Sequence, residues 1–286
     1  MYAEQRRLYN AVMPMREKKY RLQQLRLQYY ARLQAIRLAQ SAPKRITKQA
    51  LLIGINYIGT SDALYGCIND VNSLKTRVEL MGFQCQTLTD TTSVKPTRVN
   101  ILEAFKRLLV NAVAGDQLFF SYSGHGTNIE DRNKDEVDGM DEALVSSDMK
   151  CIVDDELKSM LRYLKRGVTL VTLFDSCHSG TVLDLKYQYI DSLSDADKIY
   201  PNNIETAGRV FMISGCMDSQ TSADAWIDNK PQGAMTWALV ESLKTVQSTW
   251  RQLIQTMRAL LKEKGYTQIP QFASGTLEDI DTQVLI

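Results

Sequence analysis

The chain has 286 residues with 34 basic and 33 acidic side chains, a formal net charge of +1. A composition of 44% apolar and 23% charged residues excludes disorder throughout, and the lack of any run of eighteen apolar residues excludes an apolar membrane-spanning helix, so a soluble protein is expected. The five cysteines, Cys67, Cys85, Cys151, Cys177 and Cys216, are odd in number and never spaced C-x-x-C, which argues against a disulfide framework or zinc ribbon and points to an intracellular, cytoplasmic setting.

Charge divides the chain into two parts. Residues 1–48 hold 12 Lys/Arg against only Glu4 and Glu17, net +10; residues 49–286 therefore hold 22 basic and 31 acidic side chains, net −9. The expected organisation is a basic N-terminal segment, 1–48, and one domain, 49–286. In the segment, Leu22, Leu25, Tyr29, Leu33 and Ile36 recur every three or four residues, the spacing of one face of an amphipathic cationic helix. Such a helix suits a propeptide. It also suits an arm for nucleic acid or an anionic membrane, or an organelle presequence that nearly lacks serine. Charge interrupts every candidate apolar core before Pro43, so no secretory signal is expected, and Ser41 to Lys44 read as a linker.

From Gln49 onward, apolar runs of strand length alternate with helix-period stretches. The runs are Ala50 to Asn56, Cys85 to Leu88, Gln117 to Ser121, Thr169 to Asp175 and Val210 to Ser214, with a short edge strand expected from Phe272. Helices are expected near 70–80, 97–113, 154–164, 234–245 and 249–264. This alternation predicts an α/β fold, a mostly parallel six-stranded sheet with helices on both faces. Ligands bind such sheets beyond the carboxyl ends of the strands, where this sequence reads Asn56-Tyr57, Ser123-Gly124-His125-Gly126, Asp175-Ser176-Cys177-His178-Ser179-Gly180 and Ser214-Gly215-Cys216.

His125 ends one buried strand and Cys177 the next. A thiol with a reference pKa of about 8.5 is mostly protonated at neutral pH, and an adjacent imidazole can take its proton or pair with the thiolate. His178, the only other histidine, neighbours Cys177 in sequence, but consecutive residues point in different directions, so it is not expected to reach the sulfur. Glycines beside the pair leave room for a substrate backbone, and the N–H groups of Gly126 and Cys177 are the candidate oxyanion donors. Cys85, Cys151 and Cys216 read as small apolar fillers.

These motifs, with Gly66-Cys67-Ile68-Asn69-Asp70 and the later Ser214 to Asp224 and Gly233-Ala234-Met235-Thr236 segments, resemble those of metacaspases from about Gln49 to Phe272. The resemblance is closest to the compact type I arrangement, with a short stretch from Asp184 to Arg209 and no Pro-rich or zinc-finger segment ahead of the domain. It implies a caspase-like sheet, a His125–Cys177 dyad, and cleavage after Arg or Lys in a pocket lined by Asp70, Asp175, Ser123 and Cys67. A pocket for a long cation needs carboxylates at its floor. Asp70 is alternatively a helix cap.

Eleven acids against three bases lie between Glu130 and Glu156. An EF-hand count fits at Asp131, Asn133, Asp135 and Glu142 but fails at Glu136, where glycine is required. The resemblance implies instead that Asp141, Asp154, Asp155 and Asp184 bind Ca²⁺. Carboxylates from separate loops suit that ion at a weak affinity of roughly 10⁻⁴ to 10⁻³ M. It further implies self-processing, with Lys186, Lys198 and the basic residues between 16 and 45 as sites and Arg45 and Lys48 as the natural ones. Expected partners are proteins or peptides with Arg/Lys before the scissile bond and the chain's own N-terminal segment, acting on a monomer. The competing expectation is a catalytically idle caspase-like scaffold whose basic arm binds nucleic acid or membrane.

Overall fold

The computed structural model describes residues 46–130, 140–177, 182–189, 196, 198–200, 203–216, 225–227, 230–244 and 248–284, with 23–34 and seven scattered positions before them. Residues Met1–Arg45 and Ile46–Ile286 form two separate compact units. In the first, residues 23–34 are helical, as the three-and-four spacing predicts, and Leu25, Tyr29 and Leu33 are exposed. The second unit begins just ahead of the sheet's first strand. The Thr47 N–H donates to the Asp116 carboxylate at 2.9 Å, and the first strand opens at Lys48.

Six strands fall where the apolar runs predict them: β1 (Lys48–Gly54), β2 (Gln84–Thr89), β3 (Gln117–Ser123), β7 (Thr169–Asp175), β10 (Arg209–Cys216) and β13 (Ile269–Ser274). Their order is β2-β1-β3-β7-β10-β13, parallel up to β10, with β13 antiparallel to it. Two further short strands, β8 (Tyr187–Tyr189) and β9 (Lys198–Ile199), extend the sheet to eight. Phe272 therefore lies inside β13, opposite Tyr189, and not at an edge. A second, antiparallel sheet joins β4 (Gly126–Glu130), β5 (Met140–Val145) and β6 (Cys151–Val153), and a hairpin pairs β11 (Ala225–Ile227) with β12 (Lys230–Gln232).

Alternation along the strands sorts the core into two layers, because successive side chains point to opposite faces. Leu51, Ile53, Phe120, Leu170, Phe174 and Met212 pack on one face against α2 (Arg98–Asn111) through Ile101, Phe105 and Leu109. Leu52, Phe119, Val171, Leu173 and Phe211 pack on the other against α1 (Cys67–Leu80), α4 (Ala234–Ser242) and α5 (Trp250–Glu263). There Trp250 stacks on Phe211 with ring centroids 4.4 Å apart. Helix α5 opens with a reciprocal cap: Thr249 Oγ1 accepts the Gln252 N–H at 3.3 Å, and the Gln252 side chain accepts the Thr249 N–H at 3.0 Å. The short helix α3 (Asp154–Met160) follows β6 directly.

Among the described residues, no helix is long and apolar enough to cross a membrane. Lys48 lies within β1, where the following residue, Gln49, pairs with both Leu118 and Gln84. A bond held in a ladder on both sides is closed to a peptidase, so cleavage after Lys48 is not available in the folded domain. Arg45 lies outside the described residues.

Candidate active site

Strands β3 and β7 are neighbours, with Ser123 opposite Asp175. His125 and Cys177 each lie two residues beyond that pair, at the carboxyl edge of the sheet, and both are half-buried. Gly126 closes the distance: a Cβ there would run into the Cys177 carbonyl. His178, Ser179 and Gly180 lie outside the described residues.

The orientation of His125 is set by a backbone group. Its Nε2 lies 2.7 Å from the Asp62 carbonyl oxygen. A carbonyl can only accept, so Nε2 carries the hydrogen, and in the neutral ring Nδ1 is left as the proton acceptor. The imidazole also leans on the Tyr57 ring, with centroids 4.6 Å apart and an interplanar angle of 35°. Sequence reasoning missed both contacts. A backbone carbonyl is the same at every position, so nothing in residue identity marks Asp62.

Beside this pair sit two buried carboxylates, Asp70 and Asp175, each 1% exposed. Asp70 is not a helix cap: α1 has Gly66 at its N-cap position without a side-chain cap bond, and Asp70 lies inside the first turn. Its oxygens accept from Ser123 Oγ at 2.6 Å and from the Gly233 N–H at 2.7 Å. Asp175 accepts the Thr236 N–H at 2.8 Å through one oxygen, while the other, Oδ1, has no hydrogen-bond partner among the described residues; the Thr236 side chain works with that N–H to favour the ionised form. Burial drives both carboxyls above the ordinary carboxylate range, and the charge of Asp175 pushes Asp70 further up. Gly233 has to be glycine, since a Cβ would strike both carboxylates. Cys67 is fully buried at the start of α1, and Ser123 is held by Asp70.

The acids of the second expected site are grouped but not as a finished cage. Asp154 is 2% exposed and accepts the N–H groups of Asp155 at 2.7 Å and Glu142 at 3.2 Å. Burial pushes its carboxyl up to about 7 against those two donors, and the charges of Asp184 and Asp141 add to the rise. Asp184 holds a left-handed backbone (φ 44°), its carbonyl accepting from Asn203 at 2.8 Å, and its carboxylate pairs with Lys158 at 3.2 Å. Among the described residues, no three His, Cys, Asp or Glu side chains are gathered closely enough to hold a metal as they stand. The oxygen-only donor set of Asp141, Asp154 and Asp184, whose charges act on one another, is of the kind that fits a hard divalent cation.

The family model for the metacaspase, peptidase C14 domain matches residues 48–186. Metacaspase-1 of Meyerozyma guilliermondii is 34% identical over 84% of this chain and 72% of its own length. Metacaspase-1A of Aspergillus oryzae is 37% identical over 84% of this chain and 71% of its own. A crystal structure of a Geobacter sulfurreducens protein superposes with a TM-score of 0.62 at 25% identity, covering 82% of this chain and 95% of that one. The same fold therefore recurs in a solved structure, and the chain belongs to the metacaspases, a family of caspase-like cysteine peptidases.

Proposed function

We propose that the chain is a calcium-activated endopeptidase that cleaves after Arg or Lys. The observation that carries the specificity is the buried Asp70–Asp175 pair beside the Cys177 end of the sheet, with an Asp175 oxygen that has no hydrogen-bond partner among the described residues. A guanidinium or ammonium of a substrate supplies the missing donor and neutralises two like charges at once. Cys177 Sγ attacks the scissile carbonyl and His125 Nδ1 receives the thiol proton. The N–H groups of Gly126 and Cys177 face the developing oxyanion. His125 then passes the proton to the leaving amine, and water attacks the acyl-enzyme and releases the new carboxylate.

Turnover of fluorogenic peptides with Arg, Lys or Asp before the reporter tests this reading. Arg and Lys peptides should be cleaved and the Asp peptide ignored; preference for Asp would overturn the pocket assignment.

Calcium would be held by Asp141, Asp154, Asp155 and Asp184, where it would neutralise clustered carboxylates. Asp184 must exchange Lys158 for the ion, because the Lys158 ammonium now bonds both Asp184 at 3.2 Å and Asn203 at 3.3 Å. Chelation should therefore abolish turnover of the Arg peptide, and Lys158→Met should lower the calcium concentration for half-activation several-fold. Full activity in chelator would remove calcium from the scheme. An unchanged half-activation concentration in Lys158→Met would remove the exchange.

A further inference from the structure

Two buried phenols grip the backbone of His125. Tyr57 Oη accepts the His125 N–H at 2.9 Å, Tyr122 Oη donates to the His125 carbonyl at 2.8 Å, and the two hydroxyls lie 3.1 Å apart. Both also reach the Val145 carbonyl, at 2.6 Å and 2.7 Å, while the Val145 N–H bonds the His125 carbonyl at 3.0 Å. Two hydroxyl protons are thus shared among the carbonyls of His125 and Val145 and the phenols themselves. Burial raises both phenols above their ordinary range, so they stay neutral and keep those protons.

Tyr57 does more than Tyr122, because its ring also lies against the imidazole. Its own backbone is left-handed at φ 49°, a conformation that a bulky residue adopts only when its surroundings impose it. The imposing contacts are local: the Thr60 N–H and Thr60 Oγ1 both bond the Tyr57 carbonyl, at 3.1 Å and 2.8 Å. The Leu64 N–H closes the same loop onto Asn56 at 2.8 Å. That loop also carries Asp62, whose carbonyl holds His125 Nε2. One loop therefore meets the imidazole on its face through Tyr57 and on its edge through Asp62. Gly124 completes the arrangement, since a Cβ there would lie 2.7 Å from Tyr122 Oη and 2.9 Å from Tyr57 Oη.

We propose that Tyr57 is a positioning residue for the reaction, fixing the His125 backbone through its hydroxyl and the imidazole plane through its ring. The inference rests on His125 being the base. Its strained backbone then has a purpose: it turns the side chain from the end of β1 across to the end of β3, where a base must sit within hydrogen-bond reach of the thiol throughout the reaction.

The test compares full-length wild type, Tyr57→Phe, Tyr57→Leu, Thr60→Val and His125→Ala on an Arg peptide in calcium, with melting curves for each. Tyr57→Phe keeps the ring and loses the hydroxyl, so kcat should fall about 10- to 100-fold with KM within about twofold, and Tyr57→Leu should fall further. Thr60→Val, at an exposed position, releases the Oγ1 anchor of the Tyr57 carbonyl, and with it the Asp62 N–H that Oγ1 accepts at 3.2 Å, and should lower kcat several-fold with KM again held. It keeps the test open if the Tyr57 variants do not fold. Wild-type kcat in folded Tyr57→Phe or in Thr60→Val, or a loss confined to KM, overturns the positioning role while His125→Ala remains inactive. An active His125→Ala overturns the role of His125 itself.

Discussion

Cys177→Ala should eliminate cleavage of an Arg peptide, lowering turnover by more than about 10³-fold, and His125→Ala should lower it by about 10² to 10⁴, the range for loss of a general base. His178→Ala should leave most activity. The reason is placement: His125 follows β3 and Cys177 follows β7, and these strands are hydrogen-bonded neighbours with Ser123 opposite Asp175. His125 is also the ring whose Nε2 is tied to a carbonyl, leaving Nδ1 free to accept a proton. The comparison needs folded variants, which melting curves establish, because half-buried positions at a strand end carry little of the core. Residual turnover in Cys177→Ala would sink the nucleophile assignment. A dead His178→Ala beside an active His125→Ala would reverse the assignment of the base.

The second large effect belongs to the acid pair. Asp70→Asn and Asp175→Asn should each reduce kcat/KM for an Arg peptide by roughly 10²- to 10³-fold, the cost of truncating one partner of a buried charge contact, about 2–5 kcal/mol. The same pair gives the enzyme a pH signature. Burial holds both carboxyls above the ordinary carboxylate range and the charge of Asp175 raises Asp70 further, so in weak acid the empty pocket retains a proton. If the pair holds a cationic side chain, as proposed, it does so in its ionised form, and proton and substrate compete. KM for the Arg peptide should fall as pH rises through the raised range, and calorimetry with Cys177→Ala in buffers of different ionisation enthalpy should show proton release on peptide binding.

Stability moves the other way. The native pair holds more protons than the unfolded chain between the ordinary carboxylate value and the raised one, so the free energy of unfolding falls as pH rises across that window. Urea melts should therefore show wild type losing stability over the pH range in which its KM improves. Asp70→Asn, which removes one of the like charges, should flatten both trends. KM independent of pH in wild type would show that the pair does not hold the substrate cation.

Much of this architecture was legible in order along the chain. Five apolar runs and the segment around Phe272 became six strands of the main sheet; the central ones were plainest, because a strand buried on both faces must be apolar nearly throughout, as β1, β3 and β7 are. The helices followed from helix-period spacing, and the structure adds the side-chain caps of Thr97 and Thr249 that start two of them. The short strands β8 and β9 escaped because two or three residues carry no period. The end of β1 was legible only as a place to look: Asn56-Tyr57 stands at a strand end, but only the left-handed backbone of Tyr57 and the position of His125 make its hydroxyl meaningful.

The opposed charges of the two parts, +10 and −9, likewise follow from the sequence alone, as do the histidine and cysteine at neighbouring strand ends and the density of acid between Glu130 and Glu156. Residue type and local spacing determine these properties directly. Tertiary structure alone decided which acids meet. Asp70 reaches Asp175 and the Gly233 N–H across intervals of more than a hundred residues, and Asp154 feels Asp184 and Asp141 from other segments. It also decided that a carbonyl at Asp62 and a hydroxyl at Tyr57 hold His125. The physical reason is the same in each case. Burial and long-range register create these fields and hydrogen bonds, and neither exists until the strands are laid side by side.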